Sequence, residues 1–327
     1  MFKGEKVFEG EKSIHYLFQK SYAKTNSLVV IFSAFPTKKK QPTYNFIRTL
    51  SGIDCNKLFI LDDFGSRASY YLCEKKDFTI ERSVRSLIDF IIQENNINFV
   101  ISCGSSKGGY AALYYGIKYG FDHIIAASPQ YFLGDYLLEQ TNSQDVTDFM
   151  SGSSGEEDHQ FLNEIMPKMI EETQNKPNIF IHLGKEEPHY ENHVKPLLAK
   201  LDEKHIPYDL DLGDYSKHSD VGKYFPAILR ENIRTLLHYP SLEMIQSAKG
   251  KLPIGSQCIF EAKTDSKKNK VAWYVYQDKD RIDMKSYSTN HTLSVTFDQA
   301  GNYRVKAFAI NHLKHKVSTS SEIIEIV

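Results

Sequence analysis

Residues Phe99–Gly116 read FVISCGSSKGGYAALYYG, and this stretch decides the fold. It opens on an apolar run of the buried-strand kind and closes on helical spacing from Lys107 to Tyr119. Between the two lies Gly104-Ser105-Ser106-Lys107-Gly108, a Gly-x-Ser-x-Gly turn joining a strand to a helix. Such a sharp turn needs small residues on each side, because the central serine is strained and its neighbours crowd the sheet and the helix. Ser106 is then presented at a helix N-terminus, whose dipole favours developing negative charge. A phosphate-cradling loop is the rival reading, but neither Gly-x-x-x-x-Gly-Lys-Ser/Thr nor Gly-x-Gly-x-x-Gly is present. A Ser105–Lys107 dyad would leave the two flanking glycines unexplained.

Outward from the turn, the same rhythm repeats. Short apolar runs occur at Leu28–Phe32, Lys57–Leu61, Asn98–Ser102, His123–Ala127 and Asn178–His182. Helical spacing fills the gaps, from about Glu81 to Asn95, from Lys107 to Tyr119 and after Pro188. Buried strands alternating with amphipathic helices specify an α/β fold, a mostly parallel sheet covered on both faces. Residues 5–19 alternate as a hairpin would, with Gly10 at the turn. A polar insertion at about 131–176 breaks the rhythm and reads as a lid; its acidic Glu156, Glu157 and Asp158 read as a solvated face. From about 241 short β runs replace the helices, the pattern of a small β-sandwich with Trp273 in its core rather than stacked on a sugar. The expected domains are therefore 1–240 and 241–327.

A serine hydroxyl is a weak nucleophile and needs a histidine base oriented by an acid. After the strand NIFIH comes Leu183-Gly184-Lys185-Glu186-Glu187-Pro188, which offers Glu187 as the acid and Glu186 as its alternate. PYDLDL (207–212) reads as the last strand, and His218 lies in the GDYSKHSD loop after it. Among the other histidines, His182 reads as a core residue, while His205 and His238 suit helix ends. His189 and His193 are four apart, a metal-compatible spacing without a third ligand, and read as a solvated helix face. The oxyanion-binding amides are expected from Lys107 and from Ala34 or Phe35. The Lys107 side chain is expected in solvent or against an anionic or sugar substrate, and Lys38–Lys40 as a solvated loop.

Composition narrows the class. The 327 residues are 41% apolar and 25% charged, which excludes wholesale disorder. Forty basic against 41 acidic residues leave a net charge of −1 and no field to hold nucleic acid. Four scattered cysteines argue against a disulfide framework or a zinc ribbon, and no signal-type or membrane-spanning segment is evident. A cytoplasmic protein without cofactor or metal is expected.

With FSAF (32–35), DDFG (62–65), GSSKGGYAALYYG (104–116), GKEEPHY (184–190) and SKHSD (216–220), residues 5–240 resemble the α/β-hydrolase superfamily. More narrowly, FSAF, GSSKGG and YYG are similar to the accessory Sec system acyltransferase-like proteins and related capsule-locus proteins of bacteria. That likeness implies a Ser–Glu–His triad, met here by Ser106, Glu187 and His218, acting in carbohydrate O-acetylation. The chain is shorter than those export proteins. GNYRVKAFAIN (301–311) resembles a strand of immunoglobulin-like "three-Y" and PKD-type modules. The expected function is serine acyl transfer or ester hydrolysis on a small-molecule or glycan acyl substrate. The alternative is a non-catalytic scaffold of a glycan-assembly or secretion system, with the β-sandwich docking a protein partner. A peptidase ranks last, since nothing resembles a peptide pocket.

Overall fold

The structure is a computed structural model that describes residues 2–36 and 41–327; the Lys38–Lys40 run lies outside the described residues. Two compact units divide within one helix, between Asn232 and Ile233. In the first, β1 (Lys6–Glu9) and β2 (Ser13–Gln19) form the expected hairpin. They are followed by β3 (Ser27–Phe32), β4 (Asn56–Ile60), β5 (Phe99–Ser105), β6 (His123–Ala127), β7 (Asn178–Gly184) and β8 (Tyr208–Gly213). The sheet order is β1-β2-β4-β3-β5-β6-β7-β8. The pairs involving β1 or β2 are antiparallel and all the others are parallel.

Every residue of β4 is buried, and only the first residue of β3 and of β5 is less than buried. Both faces of the central sheet are thus covered, which is why these strands read as unbroken apolar runs. Edge strand β8 has no buried residue, with Asp209 and Leu212 exposed and the rest half-buried. The covering helices are α1 (Thr79–Glu94), α2 (Lys107–Tyr119), α3 (Gln144–Ser151), α4 (Glu156–Glu172), α5 (Lys195–Glu203) and α6 (Val221–Leu236). The α1 face carrying Ile80, Val84, Leu87, Ile88 and Ile91 is the buried one, as its spacing requires.

The 131–176 insertion holds a π-helical segment, Asp135–Gln140, and then α3 and α4. Its Leu137, Val146, Met150, Leu162, Met166 and Ile170 join the main core, so it is packed onto the sheet unit along its apolar face. The acidic patch is only partly a solvated face. Glu156 and Glu157 are exposed in the first turn of α4, but Asp158 is buried and paired with Lys76 at 2.7 Å.

The second unit contains β9 (Glu243–Gln246), β10 (Gly250–Leu252), β11 (Gln257–Lys263), β12 (Lys270–Gln277), β13 (Asp280–Ser288), β14 (Thr292–Thr296), β15 (Gly301–Ile310), β16 (Lys316–Ser320) and β17 (Ile324–Ile326). They form a sheet β10-β17-β15-β12-β13, with β16 beside β15, and a second sheet β14-β11-β9. Phe260 and Leu293 of one sheet meet Trp273, Val305 and Ile326 of the other in a common core. Trp273 is 2% exposed and offers no face to a sugar. Edge strand β13 has no buried residue, and its alternating Ile282 and Met284 are both exposed. No helix among the described residues is long and apolar enough to cross a membrane.

Candidate active site

The turn after β5 is as tight as its glycines suggest. A Cβ on Gly104 would lie 2.3 Å from the Gly108 backbone, and one on Gly108 would lie 2.4 Å from the Phe32 carbonyl oxygen. No side chain fits at either position. Ser106 itself has φ 53° and ψ −122°, a strained conformation for a residue with a Cβ. Its amide donates to the Ala127 carbonyl at 2.8 Å, which pins the turn to β6.

From there one line of hydrogen bonds runs across the ends of three strands. His218 Nε2 lies 2.9 Å from Ser106 Oγ, and His218 Nδ1 lies 2.5 Å from Glu187 Oε1. Glu187 is 1% exposed, and its other oxygen accepts from Ser128 Oγ at 2.8 Å and from the Gly184 amide at 3.4 Å. Glu186 is exposed and takes no part in this line. The buried carboxylate thus fixes the imidazole with Nδ1–H toward Glu187 and Nε2 ready to accept the serine proton. Of the two candidates in the loop after β3, the Ala34 amide is already donated to Asn45 Oδ1 at 2.8 Å. The amides of Phe35 and Lys107 have no hydrogen-bond partner among the described residues.

Two expectations are corrected here. The Lys107 side chain meets neither solvent nor substrate. It is 1% exposed, bonds Asp62 Oδ2 at 2.8 Å, and lies over the Tyr71 ring at 4.3 Å. Burial lowers its pKa against the opposing pull of Asp62, and Ser69 donates to the same carboxylate from its amide and its hydroxyl. The geometry also removes a Ser105–Lys107 dyad, because the ammonium points to Asp62.

Nor are His189 and His193 on a solvated face, being 6% and 0% exposed. The helix expected after Pro188 begins as a π-helical segment, Tyr190–Val194, with His189 just before it and His193 within it. His193 Nδ1 accepts from the amides of Tyr131 and Phe132, and the His189 ring stacks on that of His218. Glu187, His189 and His218 lie close enough to be considered as a metal set. However, the two imidazoles are nearly parallel, 11° apart, so their in-plane lone pairs do not converge on one ion. His182 is a core histidine as expected, held by Asp211 and Tyr215, and His205 and His238 are exposed.

Burial pushes the His189 pKa down to about 2 and the His193 pKa to about 4. The unfolded chain, near 6.5, therefore binds more protons than the folded one as pH falls below 6.5. Stability is full above that value and declines with acidification, by at most about 1.4 kcal/mol per pH unit for each ring. Thermal melts should accordingly fall between pH 7 and pH 5. His193→Asn, which keeps an acceptor for the two amides, should roughly halve the slope. A slope unchanged in that variant would remove His193 as its source.

Sequence reasoning missed Gln130, Tyr136 and Ser128. Gln130 Nε2 lies 3.2 Å from Ser106 Oγ, and Tyr136 reaches the same hydroxyl from the insertion. Ser128 has φ 40°, a strained position that places its Oγ on Glu187. The available signal was positional, because Ser-Pro-Gln follows β6 at the same carboxyl end of the sheet as Ser106.

The fold is that of the α/β hydrolases, with a small β-sandwich added. Solved structures similar to it include the capsule O-acetyltransferase of Neisseria meningitidis serogroup A, with 27% identity and a TM-score of 0.58 over 73% of this chain and 96% of that one. A mutant of that enzyme has been solved in complex with CoA. The glycosylation-associated Gap123 complex of Streptococcus agalactiae is similar in fold, with 18% identity and a TM-score of 0.61 over 72% of this chain and 47% of that one. So is the fluorophosphonate-binding serine hydrolase F of Staphylococcus aureus, with 14% identity and a TM-score of 0.51 over 71% and 97%. No protein-family model matches the sequence, and no curated protein matches it.

Proposed function

We propose that the protein is a serine acyltransferase that moves an acyl group, such as acetyl, from an activated ester or thioester to a carbohydrate hydroxyl. Ser106 Oγ attacks the acyl carbonyl while its proton passes to His218 Nε2, and Glu187 holds the resulting imidazolium. The amides of Lys107 and Phe35 receive the tetrahedral oxyanion. Collapse expels the donor's alcohol or thiol, which takes the proton from His218 and leaves the acyl group on Ser106. An acceptor hydroxyl then attacks, gives its proton to His218 and leaves acylated, and the proton returns to Ser106. Water in place of the acceptor makes the same site an esterase.

The observation that carries this reading is the Ser106–His218–Glu187 line, 2.9 and 2.5 Å long, built on a strained strand–helix turn. The likeness to a capsule O-acetyltransferase solved with CoA supports a thioester donor and a polysaccharide acceptor. A fluorophosphonate probe should label wild type on the Ser106 peptide. Mass spectrometry should then detect acetyl transfer from acetyl-CoA to a capsule-type oligosaccharide faster than to water. Labelling with hydrolysis alone would make the protein an esterase. A well-folded protein that does not label would favour the scaffold.

A further inference from the structure

Behind the base lies a second imidazole with no counterpart in the chemistry above. The His189 ring is stacked face to face on His218, with centroids 4.1 Å apart and planes 11° apart. Its position is set by several neighbours. Tyr136 meets it edge-on at 5.4 Å, the His193 ring lies 5.2 Å away, and Gln130 Nε2 is 3.1 Å from its Nε2. Gln130 directs one amide proton to Ser106 Oγ and the other to His189, while its own oxygen stays buried without a partner. The reverse amide orientation would set that oxygen against the serine lone pairs, because the serine proton is directed at His218. His189 Nε2 must therefore accept, which puts the ring proton on Nδ1, facing Glu187 Oε1 at 3.6 Å.

We infer that His189 is a positioning residue for the base, a permanently neutral ring that holds His218 over Ser106 and offers its π face when His218 becomes an imidazolium. This inference rests on the acyl-transfer reading of the site. A cation over a neutral aromatic face is attracted to it, whereas two stacked imidazolium rings repel. The groups facing the stack are Glu187, His193 and Tyr136, with Asp135 acting on His193 and Arg67 on Tyr136. Burial, followed by the neighbouring His218 and His193, disfavours protonation of His189, in accord with this role.

Two measurements test it. The first is the pair His189→Phe and His189→Ala with p-nitrophenyl acetate. The phenyl ring keeps the stack, so kcat should stay within about threefold of wild type, while Ala should lower kcat roughly 10- to 100-fold with little change in KM. A Phe variant as slow as Ala, or an Ala variant as fast as wild type, overturns the proposal. The second needs no turnover: long-range 1H–15N spectra of the imidazole nitrogens in wild type between pH 5 and pH 8, assigned with His189→Phe. His189 should remain neutral with its proton on Nδ1. Protonation in that window, or a proton on Nε2, overturns it. Absence of fluorophosphonate labelling would defeat the acyl-transfer reading instead, and the spectra would still decide the state of the ring.

Discussion

Ser106→Ala should lower kcat/KM for p-nitrophenyl acetate by about 10⁴- to 10⁶-fold and move the thermal melt by only a few degrees. In the proposed mechanism the hydroxyl is the attacking group, so its removal would leave the amides of Lys107 and Phe35 to stabilise only attack by water. His218→Ala should cost a similar factor. The double variant should be little worse than either single one, since nucleophile and base act as a unit. Glu187→Gln should fall less, by roughly 10⁴-fold, because a carboxamide can present its N–H₂ to His218 Nδ1 and favour the wrong tautomer. Ser106→Gly should be as inactive as Ala yet more stable by roughly 1 kcal/mol, since glycine relieves the backbone strain at φ 53°. Activity surviving in Ser106→Ala would place the chemistry elsewhere.

The second large effect concerns stability and separates the two readings of Lys107. A solvated lysine can be replaced for about 0.5 kcal/mol or less. Lys107 is instead one half of a buried ion pair with Asp62, both residues being 1% exposed. Lys107→Met leaves a buried carboxylate whose remaining donors come from Ser69, and should destabilise the protein by about 3–5 kcal/mol in urea denaturation. The double variant Asp62→Leu/Lys107→Met removes both charges and should recover most of that loss. A single variant within about 0.5 kcal/mol of wild type would show that the pair does not hold the turn to the end of β4.

The strands, the helices and Ser106 were legible in the sequence because each depends on neighbours in the chain. A buried parallel strand must be apolar at every position, an amphipathic helix must repeat every three to four residues, and a turn this sharp must have glycine at 104 and 108. The order of Glu187 and His218 could be read too, since loops at the carboxyl ends of later strands are where a parallel sheet places its site. Edge strand β13 was not among the expected strands, since its alternation is confined to Ile282 and Met284 and neither side chain is buried.

Tertiary structure decided where the polar side chains went. Lys107 and Asp62 are 45 residues apart, and Ser106 and His218 are 112 apart. Nothing local distinguishes a lysine bound for solvent from one bound for a buried carboxylate. Glu187 was chosen over Glu186 by the turn after β7, which sends one carboxylate under the sheet ends and its neighbour outward. The Ala34 amide is taken by Asn45, and His189, just before the π-helical segment, stacks on His218, 29 residues further along the chain. A buried polar group is tolerated only where donors and acceptors from distant segments meet it. Composition and spacing therefore determined the scaffold and the sharp turn that carries Ser106, while the pairing of each buried charge was set by the folded chain.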